Sequence, residues 1–75
     1  MITKLGPTIA ALRFAAALSQ SELAVRIEVS RATVARWELG TMCPSRANLN
    51  AILHELRPTD QQQELMRNLW RMEKP

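Results

Sequence analysis

Cysteine is almost missing. Cys43 is the single thiol in 75 residues, so no internal disulfide can staple the chain. A disulfide-built secreted mini-protein is excluded, and a reducing cytoplasm is the expected compartment. Glycine is scarce at two residues, which disfavours a turn-rich β fold and favours helices. Tyr is absent, with one Phe and two Trp, so a core must be built chiefly from aliphatic side chains. No apolar run approaches the roughly 20 residues needed to span a bilayer, so no membrane contact is expected. The Ala-rich segment near the N-terminus contains Arg13. It is not expected to be a signal peptide, because removing it would leave too little chain to fold.

Catalytic and ligand-binding patterns are missing too. There is no G-x-x-x-x-G-K phosphate loop. His54 has no Cys or His at metal-ligand spacing. Ser19 and Ser30 have no His or Asp placed to activate them. Cys43, in a loop that reads as exposed, is a candidate redox thiol, but a lone thiol is more often incidental. The expectation is no enzyme, no metal and no cofactor.

What remains is a single small domain, residues 1–75, with 47% hydrophobic residues and a net charge of +3. A chain this short buries only roughly 60% of its unfolded surface. Eight of the ten basic residues are Arg. Arg suits bidentate contacts to guanine or phosphate better than Lys does.

Five helices are expected. Pro7 fits the first position of a helix over about 7–17, with Ile9, Leu12, Arg13 and Ala16 on one face. Ser19 and Glu22 form a capping box. Leu23, Ala24 and Ile27 follow as an apolar stripe ending near Ile27 or Glu28. Ser30 caps a third helix whose inner face holds Val34 and Trp37, and Gly40 suits the left-handed position after its end. Pro44 and Ser45 open a fourth helix with Leu49, Ile52, Leu53 and Leu56 inside. Pro58 ends it by pushing the residue before it out of the α region. Thr59 and Gln62 cap a last helix over about 60–73, with Leu65, Met66, Leu69 and Trp70 on one broad side.

The third helix carries the functional signal. With Val34 and Trp37 turned inward, Arg31, Ala32, Ala35 and Arg36 share the opposite side. Two arginines flanking two alanines let a backbone come close to a grooved partner. Arg can hold guanine O6 and N7, and Ala can touch a thymine methyl. The bland alternative is ordinary solvated surface.

The text LSQSELAVRIEVSRATVARWELGTMCPS resembles the helix-turn-helix of the lambda-repressor and Cro-like family, also called Xre. The matching pieces are L-S-Q-x-E-L-A at 18–24, V-S-R-x-T-V at 29–34, W-E-x-G at 37–40 and P-S at 44–45. The resemblance runs over roughly residues 5–56. It implies an all-α lambda-repressor-like fold that binds double-stranded DNA. It also implies roles: Arg31, Ala32 and Arg36 at base-reading positions, and Gln20 and Ser30 at the phosphate backbone, with Gln20 bracing the recognition helix. Arg13 and Glu38 fall where many members hold an inter-helix ion pair. The loop after Gly40 lacks the lysines common in relatives, so Arg46 is the expected basic substitute for phosphate contact. Relatives usually carry Gly where this chain has Ala17 and Glu28. Either these residues adopt αL at a cost on the order of 1 kcal/mol, or the turns differ in shape.

The last helix lies outside the resemblance. Leu65, Leu69 and Trp70 could close the core against the first helix, covering Phe14. Alternatively Met66, Trp70 and Met72 could form a contact between two copies, since Trp is favoured at interface centres. A single recognition helix reads few base pairs, so a homodimer is expected. The expected function is sequence-specific repression on a palindromic operator. One alternative is an antitoxin that also neutralises a toxin protein. Another is an adaptor that keeps the fold without binding DNA.

Overall fold

Four of the five helices start at a hydroxyl residue. Ser19, Ser30, Ser45 and Thr59 each accept a hydrogen bond from the backbone N–H three residues on. This satisfies one of the donors that every helix start leaves open. At Ser19 and Thr59 the bond is reciprocated by Glu22 and Gln62, giving two complete capping boxes. The computed structural model describes residues 4–74. Its helices are α1 Leu5–Ala15, α2 Gln20–Arg26, α3 Arg31–Leu39, α4 Arg46–Leu56 and α5 Asp60–Glu73. Among the described residues there is no strand, and no helix is long and apolar enough to cross a membrane.

α1 has no side-chain cap of its own. Its start is met from the far end of the chain, where the Glu73 carboxylate accepts from the Leu5 N–H at 2.8 Å. A carboxylate at a helix N-terminus is also favoured by the helix dipole. α1 begins two residues earlier than the position of Pro7 suggests. Pro7 therefore occupies the third helical position, where its missing N–H is still among the four that have no partner in the helix.

Every helix contributes to one core, with Trp37 and Val34 of α3 at its centre, against Ile9, Leu23, Leu49 and Ile52. α3 packs on both α1 and α2, and α5 closes over α1. Of the two arrangements expected for the last helix, closure of the core through Leu69 and Trp70 is the one present. Met66 has 0% exposure and Trp70 8%, so both are core residues of the single chain rather than an interface between copies. The indole N–H of Trp70 donates to the Pro44 carbonyl at 2.7 Å, which satisfies its polar tip inside. Of the three residues expected at a contact between copies, only Met72 is on the surface, 79% exposed. Leu65, expected inside, is 41% exposed. Phe14 is not covered by α5 at all, being 72% exposed. Its ring instead lies 4.5 Å from the Arg13 guanidinium and roofs that charge. Ala16 is exposed at the end of α1 rather than sharing its inner face.

The helix ends resolve the question raised by the missing glycines. Ala17 and Glu28 both adopt positive φ, 58° and 60°. The turns therefore have the left-handed shape that glycine usually provides, held here by side-chain-bearing residues. Arg57 does the same at φ 48°, outside the right-handed α region before Pro58 but in αL rather than the extended backbone that a following proline favours.

Gly6 is needed for a different reason, the close crossing of α1 over α3. A Cβ there would lie 2.5 Å from the Glu38 carbonyl oxygen and 2.6 Å from that of Trp37. Both atoms belong to α3 backbone and cannot swing aside. Gly6→Ala gains roughly 1 kcal/mol of helix propensity, yet overpacking costs about 1–3 kcal/mol. A urea titration of the variant should show a lower midpoint than wild type; an unchanged or higher midpoint would show that the crossing has slack.

Candidate nucleic-acid interface

The geometry of α2 and α3 is set by the turn between them. Ile27 ends α2, Glu28 takes the left-handed conformation, and the Val29 N–H bonds back to the Ala24 carbonyl at 2.9 Å. That is a helix-closing bond of the Schellman type. Ile27 and Val29 pack against the core, which fixes the turn from inside. Ser30 then caps α3. Its hydroxyl accepts from the Thr33 N–H at 3.0 Å and bonds the Thr33 hydroxyl at 2.8 Å. At the other end Gly40 sits at φ 80°, while Thr41 and Met42 donate backbone N–H bonds to the Arg36 carbonyl.

With Val34 and Trp37 held inside, Arg31, Ala32 and Arg36 are exposed. Ala35 is half-buried on the same outer side. Leu39 continues that side as an exposed residue that the sequence reading passed over. Its position, three to four residues beyond Ala35 and Arg36, was the available signal. Arg46 is the first residue of α4, exposed, with its guanidinium 5.6 Å from the Trp70 ring.

One polar network ties this surface to the rest of the domain. Arg13 is buried, yet every donor it directs inward has a partner. Its Nε donates to Glu38 Oε2 at 2.7 Å, its Nη2 to Glu38 Oε1 at 3.0 Å, and its Nη1 to the Leu18 carbonyl at 2.8 Å. Hydrogen bonding to Glu38 holds the Arg13 pKa above its ordinary value, against the opposing effect of burial. Gln20 extends the network outward. Its amide N–H donates to Glu38 Oε1 at 2.9 Å, and its amide oxygen accepts from Arg31 Nη1 at 3.2 Å. A continuous path therefore runs from the buried pair through Gln20 to an exposed arginine of α3. The ion pair expected between Arg13 and Glu38 is present, and Gln20 does brace α3.

These four side chains tie α1, α2 and α3 together by hydrogen bonds. An exposed arginine held by a hydrogen bond loses less rotamer freedom when it binds. A helix-turn-helix family model matches residues 9–60 of this sequence. The chain belongs to the lambda-repressor-like, or Xre, helix-turn-helix family. No curated protein and no solved structure matches it. The family is one of DNA-binding transcriptional regulators, and this chain is a DNA-binding transcriptional regulator of that kind. The match ends at Asp60, the first residue of α5, so the C-terminal helix lies beyond it.

Cys43 departs from the exposed-looking loop thiol of the sequence reading. It is half-buried and packs against the core. Burial, and secondarily the Glu73 carboxylate, push its pKa up, which reduces the thiolate fraction on which reactivity depends.

The Arg13–Glu38 pair yields a stability test. Both side chains are only 7% exposed. Glu38→Ala leaves a guanidinium buried without its counter-charge and should cost about 3–5 kcal/mol in a denaturant titration. Replacing both residues together, Arg13→Met with Glu38→Leu, should cost clearly less. Equal losses for the single and double variants would mean that the uncompensated charge is not the cause.

Proposed function

We propose that the chain is a transcriptional repressor that binds a palindromic operator as a homodimer, with α3 in the major groove of each half-site. The outer side of α3 carries the proposal. It presents Arg31 and Arg36 around two alanines, while the opposite side is anchored by Val34 and Trp37. In this reading Arg31 and Arg36 each take the paired acceptors of a guanine, and Ala32 and Ala35 allow the close approach and meet thymine methyls. Gln20 contacts a backbone phosphate with the amide hydrogen it has left over after bonding Glu38. The hydroxyl of Ser30 is engaged in its cap, so its part is played by the open N–H groups at the start of α3. Arg46 holds a second phosphate. Occupying the operator then blocks polymerase.

Two copies reading two half-sites require a fixed distance between recognition helices, about 34 Å or one turn of B-DNA. Specificity follows from doubling the base contacts. Affinity follows from the phosphate contacts and falls as salt rises.

The roles separate by substitution. Arg31→Ala and Arg36→Ala should each relax base choice at one position per half-site, costing about 1–3 kcal/mol on the preferred sequence and far less elsewhere. Arg46→Ala should weaken binding to all sequences alike and lower the slope of log affinity against log salt by about one. Binding measured across a panel of single-base operator variants at several salt concentrations distinguishes these outcomes. A uniform loss for Arg31 and Arg36 would make them phosphate contacts and would remove the base-reading assignment.

A further inference from the structure

The last turns of α5 lie against the start of α4, held there by the bond from the Trp70 indole to the Pro44 carbonyl. This brings three guanidinium groups together. Arg46 from α4 and Arg67 and Arg71 from α5 line one depression, together with Leu49, Asn50 and Trp70, and no carboxylate lines it. Asp60 and Glu64 lie with Arg67 and Arg71 in a separate depression, and neither forms an ion pair with them. The side-chain bonds these arginines make are to neutral amides. Arg67 Nη1 donates to Asn50 Oδ1 at 3.1 Å, and Arg71 Nη1 to Asn68 Oδ1 at 2.7 Å. Each bond uses one of the N–H donors of a guanidinium and leaves its charge uncompensated. Arg67 and Arg71 are also four apart on one helix, where like charges repel. The trio equals the chain's whole net charge of +3, since the remaining basic residues are matched in number by the seven acids.

We propose that Arg46, Arg67 and Arg71 form one binding site for the sugar-phosphate backbone of DNA, which makes α5 part of the DNA-contacting surface. This rests on the Arg46 phosphate contact given above and extends it by two residues that lie beyond the family match. A phosphodiester supplies the negative charge that the depression lacks, and its oxygens accept from guanidinium forks. The site is partly organised in advance. Asn50 holds Arg67 and Asn68 holds Arg71, which lowers the side-chain entropy lost on binding. Arg46 stands at the first position of α4, where open backbone N–H groups also favour a phosphate. DNA fits this depression better than an acidic protein segment does. Its one aromatic ring, Trp70, is 8% exposed and offers little apolar area to the core of a protein interface. A backbone contact from α4 and α5 adds affinity and fixes the orientation of the domain, and it leaves base choice to α3.

The salt dependence of DNA binding tests this. Arg67→Gln and Arg71→Gln should each weaken binding to every duplex alike, about tenfold at about 0.1 M salt. Together they should lower the slope of log affinity against log salt by about one to two. Arg67→Lys keeps the charge and should keep the slope, which separates a lost contact from a disturbed fold. Arg57→Gln is the matched control. It removes the same charge at the other end of α4, about 16 Å along the helix from Arg46, beyond the screening length at that salt, and should leave the slope unchanged. Ethylation of single backbone phosphates should reveal roughly one or two positions that weaken wild type but no longer weaken the Arg67→Gln, Arg71→Gln double variant. A slope lowered by Arg46→Ala but by neither α5 variant would overturn the site and leave the Arg46 contact standing. An equal effect of Arg57→Gln would reduce the site to net charge and overturn it too. So would a Trp70 indole N–H resonance that shifts with inorganic phosphate while the slopes of the α5 variants match wild type, since the depression would then hold a free anion. Base preference should stay that of wild type in each variant, and a shifted preference would contradict a backbone role.

Discussion

Arg13 and Glu38 meet where neither can be left alone. A guanidinium and a carboxylate that are both almost wholly removed from water are tolerable only with near-complete hydrogen bonding. Each supplies that to the other, with the Leu18 carbonyl and Gln20 taking the remaining bonds. The arrangement dictates where three helices lie. Arg13 belongs to α1, Glu38 to α3, and Gln20 opens α2. A shift of any of these helices by the length of a hydrogen bond would leave a buried charge short of a partner. Apolar packing around Trp37 supplies most of the stabilisation, but it is permissive about small rotations. The polar network is not, and it ends on Arg31, at the surface that faces DNA in the proposed function.

The C-terminal helix plays a second part. The family match stops where it starts, yet the domain uses it twice. Trp70 and Met66 fill the core, and Glu73 caps α1 from the other end of the chain. A chain of 75 residues has little apolar surface to spare. Exposing a tryptophan for a partner would have left the domain without one of its largest buried side chains.

Most of the fold was legible in the sequence because its signals are local. A cap needs only a hydroxyl and a backbone N–H three residues away, and an apolar stripe needs only helical spacing. Ser19, Ser30, Ser45 and Thr59 are therefore helix starts both on paper and in space. The ion pair of Arg13 with Glu38 was legible only through family resemblance, since nothing local links residues 25 apart. Other long-range contacts left no such trace. Glu73 on Leu5 and the crossing at Gly6 join distant parts of the sequence. On α5 the difficulty was rotational. Leu65 and Met66 are adjacent and both apolar, and a helix turns them about 100° apart, so composition alone does not choose which faces inward. The outer side of α3 was legible as a surface from periodicity, and its meaning came from the resemblance.

Selection of bound duplexes from a random pool by the wild-type protein tests base reading by α3 most directly. An inverted repeat should be enriched, with guanine at fixed positions in each half and half-site centres about one helical turn apart. Enrichment of an unpaired site would remove the symmetric dimer. No enrichment over the starting pool would contradict sequence-specific recognition by α3 itself.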